Sequence, residues 1–341
     1  MLNTENKEFS PERYDSRLFN QVYRAGLKAK ETEEREKENK KKLITFVILS
    51  LFLVCFLLVF IFKPKPKENY ISTVPVQNIN LNSISIPFVL ENQSLEVLDL
   101  DVTANSVLVY DLKTNQEYFS KNKDEVTSIA SLTKLMTAIV LVDTYGLDRE
   151  IEIKNDVPSD MDWSIGLKKG DIISSKDLLN AMLISSYNDV AYVVANEYEG
   201  GYEAFLKLMN EKAKLIGCRD TNFVNPMGFD SENHYSSASD LKKIINVVLK
   251  YPSILSVVEK PGEKISWISE GEEKEEYIYT TNQLVVNDSN VKGFKTGYTS
   301  EAGQCLITLY DNLKDQKFVV IVLNSEDRFG DTEKMIEAVI D

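Results

Sequence analysis

The sequence contains a single histidine, His234, and this scarcity limits the chemistry open to the chain. A zinc site built from several histidines is excluded, and a Ser-His-Asp triad would have to use His234. That residue lies in a polar loop, where we interpret it as ordering the loop. The three cysteines include no Cys-x-x-Cys pair, so they show no zinc-finger spacing either. The sequence therefore predicts neither a metal site nor a cofactor.

Positive charge is also scarce, with 39 lysines and arginines against 53 acidic residues and a net charge of −14. Nucleic-acid-binding proteins present a basic face, so this balance argues against a nucleic-acid partner. Cysteine is too rare for a disulfide framework. Cys55 lies in an apolar segment, and Cys218 and Cys305 could pair only if the fold brought them together. Because Cys305 lies in an apolar, strand-like run, we favour a buried free thiol.

The longest apolar run begins at Leu43, ends at Phe62 and contains no charged residue. About 20 such residues span the hydrocarbon core of a bilayer, so residues 43–62 are predicted to form a single transmembrane helix. A cleaved signal peptide is the alternative, but the run is too long and no small-residue cleavage site follows it. The slight excess of basic residues before the run favours a cytoplasmic N-terminus.

The span divides the chain into four predicted regions. Residues 1–42 form a charged cytoplasmic tail, and its part from residue 28 onward could be helical or disordered. Residues 63–100 are rich in Pro, Asn and Ser and read as an extracytoplasmic linker. Residues 101–341 are the predicted catalytic domain, so that the protein is expected in the cell membrane with this domain outside the cytoplasm.

Within the domain, hydrophobic periodicity predicts strands at both ends and helices between them. One hairpin is predicted from residues 106–111 and 116–120, and a second from residues 303–310 and 317–324. Predicted helices cover residues 176–198 with a break at 185–188, 201–215 with Gly217 as C-cap, 240–251 with Ser239 as a plausible cap, and 331–340. This pattern indicates one α/β (α+β) domain whose sheet joins the two hairpins.

The segment around Ser131 and Lys134 is the strongest candidate for an active site. Small polar residues open it and an apolar run follows, which predicts a buried helix with Ser131 in its first turn. Lys134 lies three residues on and therefore over the same helix face. A lysine held nearly dry can act as the base that activates a serine. Ser-x-x-Lys alone is weak, because it also occurs in three other places: Ser120/Lys123, Ser239/Lys242 and Ser289/Lys292.

Two further motifs strengthen this candidate. Ser186-Tyr187-Asn188 follows the first motif, and Lys295-Thr296-Gly297 follows the second. The three together, in this order, form the Ser-x-x-Lys, Ser-x-Asn and Lys-Thr-Gly set of penicillin-binding enzymes and serine β-lactamases.

The sequence around these motifs resembles that of the serine-type D-Ala-D-Ala carboxypeptidases, the low-molecular-mass penicillin-binding proteins. The resemblance begins near Val102 and rests on four strings: Ser128-Ile-Ala-Ser-Leu-Thr-Lys-Leu-Met-Thr-Ala138, Leu183-Ile-Ser-Ser-Tyr-Asn-Asp-Val-Ala191, Thr221-Asn-Phe-Val-Asn-Pro-Met-Gly-Phe229 and Gly293-Phe-Lys-Thr-Gly-Tyr-Thr-Ser-Glu-Ala-Gly303. It implies an antiparallel sheet flanked by helices beside a helical lobe, and a histidine like His234 outside the catalytic groups. Many relatives carry a further C-terminal β-domain, which we do not expect here.

The resemblance also implies a role for each motif residue. Ser131 would attack the penultimate D-Ala and Lys134 would accept its proton. Ser186 and Asn188 would relay a proton to the leaving amine and hold the substrate amide. The third motif would bind substrate: Lys295, Thr296 and Thr299 at the terminal carboxylate, Gly297 by close backbone approach, and Tyr298 through its backbone N–H, which would form the oxyanion hole with that of Ser131.

The implied activity is removal of the terminal D-Ala from peptidoglycan stem peptides, with β-lactams as covalent inhibitors and roles in peptidoglycan biosynthesis and cell shape. Tyr187 stands where the family is expected to have glycine, which leaves the substrate preference open. A DD-endopeptidase that cleaves crosslinks is one alternative, and a catalytically silent peptidoglycan-binding module is another. A class A β-lactamase is disfavoured, because no Glu-x-x-Leu-Asn string lies between Asn188 and Lys295.

Overall fold

The computed structural model describes residues 100–312 and 316–340. The predicted tail and transmembrane run, Cys55 and nearly all of the predicted linker (63–100) lie outside the described residues. Within the part that is described, no helix combines the length and the apolar character that a membrane crossing requires.

A five-stranded antiparallel sheet joins the beginning and the end of the described chain, as the two predicted hairpins require. The strands are β1 (Ser106–Asp111), β2 (Glu117–Lys121), β7 (Val291–Thr299), β8 (Gly303–Asp311) and β9 (Lys317–Ser325). Their order in the sheet is β2-β1-β9-β8-β7. Leu108 of β1 pairs with Ile321 of β9, so the first and last hairpins meet edge to edge. Both hairpins and their shared sheet are confirmed.

Side chains of β1 are buried on both faces of this sheet, because helices cover each side. Val107 and Val109 pack in a cluster with Met335 of the C-terminal helix, whereas Leu108 and Tyr110 join the larger core on the opposite face. Successive strand residues point to opposite faces, so burial of every β1 residue requires two covering layers. The architecture is thus α+β, with the sheet between helices.

Most of the helices lie where the hydrophobic periodicity predicts them. Their bounds are α1 (Lys134–Tyr145), α2 (Ser175–Ile184), α3 (Asn188–Asn196), α4 (Gly201–Leu215), α5 (Ala238–Val248), α6 (Pro252–Val258), α7 (Gln283–Asn287) and α8 (Arg328–Ile340). The break between α2 and α3 falls at the predicted position. α4 ends before Gly217, whose φ of +88° is the left-handed conformation expected of a glycine C-cap.

A second antiparallel sheet was not predicted from the sequence. Its strands are β3 (Glu150–Glu152), β4 (Ile172–Ser174), β5 (Gly262–Ser269) and β6 (Glu272–Tyr279), in that spatial order. β3 and β4 have three residues each, too few to show an alternating pattern. β6 carries four glutamates, a residue type depleted in strands.

Two local predictions have definite outcomes. The cap of α5 is Ser237, whose side chain accepts a hydrogen bond from the Asp240 amide, so the choice of Ser239 was wrong. Ser239 lies in the first turn instead, and its hydroxyl donates to Asp124. Cys218 and Cys305 are both free thiols, and Cys305 is buried, as its apolar context predicted.

Candidate active site

Ser131 lies in a short 3-10 turn, Ala130–Thr133, that leads directly into α1. The turn is held between two glycines from distant parts of the chain. A Cβ atom on Gly228 would lie 1.9 Å from the Ala130 carbonyl oxygen, and one on Gly297 would lie 3.1 Å from the Ser131 nitrogen. Only glycine permits so close an approach at Gly228. The nucleophile candidate is therefore fixed by backbone packing on two sides.

Lys134 is fully buried, and its Nζ atom contacts three oxygen atoms. The distances are 2.8 Å to Ser131 Oγ, 2.7 Å to Asn188 Oδ1 and 2.9 Å to the Met227 carbonyl oxygen. A neutral amine has two N–H groups and one lone pair. Asn188 and Met227 can accept the two N–H groups, which leaves the lone pair free to receive the proton of the Ser131 hydroxyl.

The electrostatic surroundings favour this neutral form. Burial holds the pKa of Lys134 well below its usual range, and the positive charge of Lys295 lowers it further, against an opposing effect of Asp189. Burial also lowers the pKa of Lys295 to about 7, with a contribution from Arg328. Both lysines of the motifs thus sit where their charged forms are disfavoured.

The second motif forms the connection between α2 and α3. Ser186 has a left-handed φ of +65° and is buried, and Asn188 begins α3. Asn188 links this connection to the first motif through Lys134 and to a preceding loop through its own side-chain amide, which donates to the Asp162 carbonyl at 2.8 Å. Its backbone N–H donates to the Trp163 carbonyl at 2.9 Å.

Asp189 anchors the same loop from the other side. Its carboxylate accepts backbone N–H groups of Gly166 at 2.9 Å and Leu167 at 3.0 Å. Burial raises the pKa of Asp189, although these backbone donors oppose the shift. A buried carboxylate bonded in this way fixes the loop of residues 162–167 against the second motif.

The third motif lies within β7 beside the Ser131 turn. Lys295 is 1% exposed, and its Nζ donates to the Thr296 carbonyl at 3.1 Å. Arg328 donates to the Gly297 carbonyl at 2.8 Å and so ties the motif to the start of α8. Thr296 Oγ1 lies 2.5 Å from Thr281 Oγ1. The next residue, Tyr298, is mostly exposed.

Thr299 has partners that the sequence did not indicate. Its hydroxyl donates to Asp230 Oδ1 at 2.5 Å and accepts the Ala302 N–H at 3.0 Å. A hydroxyl has one proton, so Thr299 can donate to a ligand carboxylate only by giving up Asp230. The assignment of Thr299 to carboxylate binding stays a prediction, and Asp230 would compete with the ligand for the Thr299 hydroxyl proton.

His234 is buried and bonds the Ser131 turn to the loop before it. Its Nε2 atom lies 2.8 Å from Thr133 Oγ1, and its Nδ1 atom accepts the Val224 N–H at 3.2 Å. Thr133 in turn donates to the Ala130 carbonyl at 2.9 Å. These partners suit a neutral ring with its proton on Nε2, and burial lowers the His234 pKa to about 4. We interpret His234 as a residue that orders its loop, and these hydrogen bonds connect that loop to the turn that carries Ser131.

The structure therefore brings the three predicted motifs together around one turn. Ser131, Lys134 and Asn188 are joined by hydrogen bonds, and Gly297 packs against the Ser131 backbone. Sequence reasoning did not identify Trp163, Asp189, Asp230, Gly228 or Arg328 as neighbours of the site. Of these, Gly228 and Asp189 lie inside the quoted strings, but only the folded chain shows what they touch.

A serine, a buried lysine and a second buried lysine around one turn are suited to acyl transfer. The serine can attack a carbonyl, the neutral amine can hold its proton, and the buried second cation can attract a carboxylate. Within residues 100–312 and 316–340, no group of three or more His, Cys, Asp or Glu side chains is arranged to hold a metal ion.

Comparison with known proteins points in the same direction. The family described as D-alanyl-D-alanine carboxypeptidase matches residues 91–327. The chain is 33% identical to a D-alanyl-D-alanine endopeptidase of Escherichia coli over 245 residues, which cover 69% of this chain and 76% of that protein. It is 34% identical to D-alanyl-D-alanine carboxypeptidase DacF of Bacillus subtilis over 210 residues, 60% of this chain and 53% of DacF, so it spans about half the length of that relative.

Solved structures show the same fold. The crystal structure of penicillin-binding protein D2 from Listeria monocytogenes in its ampicillin-bound form superimposes with a TM-score of 0.60 and 29% sequence identity. The alignment covers 71% of this chain and 100% of that chain.

Proposed function

The chain belongs to the D-alanyl-D-alanine carboxypeptidase family, and from this premise we propose that it removes the terminal D-Ala of peptidoglycan stem peptides through an acyl-enzyme on Ser131. One observation carries the proposal: Lys134 is buried, has a depressed pKa and lies 2.8 Å from the Ser131 hydroxyl. Burying a lysine costs free energy that an uncharged residue in the same place would not, so the amine of Lys134 is better explained by catalysis than by packing.

The reaction begins when Ser131 Oγ attacks the carbonyl carbon of the penultimate D-Ala and its proton passes to Lys134 Nζ. The carbonyl oxygen becomes an oxyanion, which the backbone N–H groups of Ser131 and Tyr298 would stabilise. The intermediate collapses as the C–N bond breaks. A proton passes to the leaving amine through Ser186, and free D-Ala departs. Water then attacks the ester carbonyl while Lys134 takes its proton, and the C–Oγ bond breaks as that proton returns to Ser131 Oγ, which releases the shortened peptide.

Recognition of the terminal carboxylate is assigned to the third motif. Lys295 provides positive charge from a site with almost no solvent, where an ion pair is stronger than in water. A bound carboxylate would also raise the pKa of Lys295 from about 7 and keep the lysine charged in the complex. Thr296 and Thr299 supply hydroxyl groups next to it. β-Lactams would enter the same site, and the ampicillin-bound relative supports this part of the proposal.

The experiment that tests the activity is release of free D-Ala from a pentapeptide ending in D-Ala-D-Ala. The purified protein should release one D-Ala per peptide, and Ser131→Ala should release none. If the wild-type protein releases no D-Ala although penicillin labels Ser131, the carboxypeptidase assignment is wrong and the site serves another acyl acceptor or substrate.

A DD-endopeptidase is the second candidate, and it too has a specific basis. The Escherichia coli endopeptidase matches over a larger share of its own length than DacF does, 76% against 53%. Incubation with a crosslinked muropeptide dimer separates the two activities. Conversion of the dimer to monomers without release of D-Ala from pentapeptide would favour the endopeptidase.

We also propose that residues 43–62 anchor the protein in the cell membrane with residues 101–341 outside the cytoplasm. The uncharged apolar run and the location of peptidoglycan support this topology. Protease added to intact cells should remove the catalytic domain and spare the tail of residues 1–42. A catalytic domain that is protected under these conditions would contradict the topology.

A further inference from the structure

Trp163 is one of the most exposed large hydrophobic residues in the described part of the chain, with 61% of its surface accessible. Its position is nevertheless fixed. Its backbone carbonyl accepts the Asn188 N–H at 2.9 Å, and its indole N–H donates to the Ser185 carbonyl at 2.5 Å. The backbone carbonyl and the indole N–H of Trp163 are therefore bound to the second motif while the ring remains open to solvent.

The indole ring lies against Tyr187, with ring centroids 6.4 Å apart and an angle of 32° between the planes. Tyr187 is the residue that stands where the family is expected to have glycine. Together the two rings form an aromatic wall beside the second motif. An aromatic face carries partial negative charge and attracts cations within about 6 Å of the ring centre.

A carboxylate completes this wall. The Tyr187 hydroxyl donates to Glu276 Oε1 at 3.1 Å, and burial and the Glu276 charge raise the Tyr187 pKa to about 12, so the hydroxyl stays protonated. Two other glutamates of the β5–β6 hairpin have lysine partners: Glu263 pairs with Lys260, and Glu275 with Lys264. Among the described residues, no lysine, arginine or histidine pairs with Glu276.

We propose that Trp163, Tyr187 and Glu276 form a subsite for an ammonium-bearing side chain on the residue that precedes D-Ala-D-Ala in the substrate. This inference rests on the proposed function. Two aromatic faces and a carboxylate without a cationic partner are chemically complementary to a primary ammonium group. A neutral or acidic side chain would leave the Glu276 charge without compensation.

The position of the subsite follows from the part assigned to Asn188. The substrate amide that Asn188 would hold joins the penultimate D-Ala to the preceding residue. Trp163 is hydrogen-bonded to Asn188, and Tyr187 directly precedes Asn188 in the chain. The side chain of the preceding residue is thus directed to the surroundings of Asn188, away from the carboxylate-binding lysine of the third motif.

The test compares two peptides that differ only in one charge: Nα-acetyl-L-Lys-D-Ala-D-Ala and the same peptide with its Nε amine also acetylated. Two readouts are taken with the full-length protein, kcat/KM for D-Ala release and protection of Ser131 from a fluorescent penicillin. The variants are Trp163→Ala and Glu276→Gln. Glu272→Gln is the matched control, because it removes the same charge from an exposed position of the same strand.

We expect the wild-type protein and Glu272→Gln to favour the free amine by about tenfold in both readouts. Trp163→Ala and Glu276→Gln should reduce this preference to about twofold or less, because the free amine loses an aromatic or a carboxylate partner that the acetylated amine does not use. Equal protection by the two peptides in the wild-type protein would overturn the inference, as would an equal loss for both peptides in the Trp163 and Glu276 variants. If D-Ala is never released, the proposed function fails, and the protection readout still decides whether the subsite exists.

Discussion

Replacement of Gly228 by alanine is the substitution whose effect the structure defines most sharply. The added Cβ atom would lie 1.9 Å from the Ala130 carbonyl oxygen and 2.9 Å from the Ser131 nitrogen. Contacts shorter than 3.0 Å are essentially never seen for Cβ atoms, so one of the two segments must move by at least 1.1 Å, the difference between 3.0 and 1.9 Å. The neighbouring Met227 carbonyl accepts a hydrogen bond from Lys134, so either movement disturbs the site.

The size of the effect has two parts that a matched variant separates. Gly228 has a φ of +93° and Gly217 a φ of +88°, but a Cβ atom on Gly217 would meet nothing within 4 Å. Gly217→Ala should therefore show only the cost of left-handed backbone, about 1–2 kcal/mol of stability. Gly228→Ala should add misplacement of the nucleophile by about 1 Å, which can reduce a rate by about a hundredfold.

The assay is the rate at which a fluorescent penicillin labels Ser131, measured below the unfolding temperature of both variants. We expect Gly217→Ala to label at the wild-type rate and Gly228→Ala to label at least about a hundredfold more slowly. Wild-type labelling by Gly228→Ala, with a loss of stability no larger than that of Gly217→Ala, would refute the argument that this glycine sets the position of the Ser131 turn.

Three further predictions concern other residues of the domain. Because burial lowers the pKa of His234 to about 4, the unfolded chain binds a proton more readily than the folded chain between pH 6.5 and 4. The free energy of unfolding should therefore fall by about 2 kcal/mol from pH 7 to pH 5. Urea unfolding should show a smaller fall in His234→Gln, and an equal fall would contradict the assignment of this pH dependence to His234. Asp331 accepts hydrogen bonds from Thr103 and from the Ala104 N–H at 2.8 Å. Asp331→Ala should therefore lower the free energy of unfolding by about 3 kcal/mol in the same assay, whereas the exposed control Glu333→Ala should lower it by less than about 0.5 kcal/mol. Equal losses in the two variants would be evidence against this hydrogen-bond network. Lys295→Ala should raise KM for D-Ala release more than it lowers kcat, and Lys295→Arg should recover part of the binding; an unchanged KM would remove Lys295 from carboxylate recognition.

Much of the regular structure could be predicted because its signals are local. The apolar run after Ser131 predicts a buried helix, and α1 is buried over most of its length. Two short strand-like segments with a polar turn between them predict the hairpin of β1 and β2, and the structure pairs them. The second sheet escaped prediction because pairing with distant partners stabilises β3 and β4, and three-residue strands carry no periodic signal.

The site shows the same division between local and distant information. The motifs brought Ser131, Lys134 and Lys295 to attention because their residue types have characteristic chemistry. The contacts that tune them depend on how distant segments meet, as when Asp230 binds the Thr299 hydroxyl. The α5 cap was misassigned because several serines precede the helix, and only the backbone geometry shows that Ser237 accepts the Asp240 amide.

The proposed mechanism requires that Ser131 forms the acyl-enzyme and that Lys134 removes its proton. Intact-mass spectrometry after a timed pulse of penicillin, followed by peptide mapping, measures both the site of acylation and its dependence on Lys134. The wild-type protein should gain one penicillin mass on Ser131, Ser131→Ala should gain none, and Lys134→Ala should gain it only very slowly even at saturating penicillin. An adduct on Ser131→Ala, or adduct formation at the wild-type rate in Lys134→Ala, would contradict this mechanism.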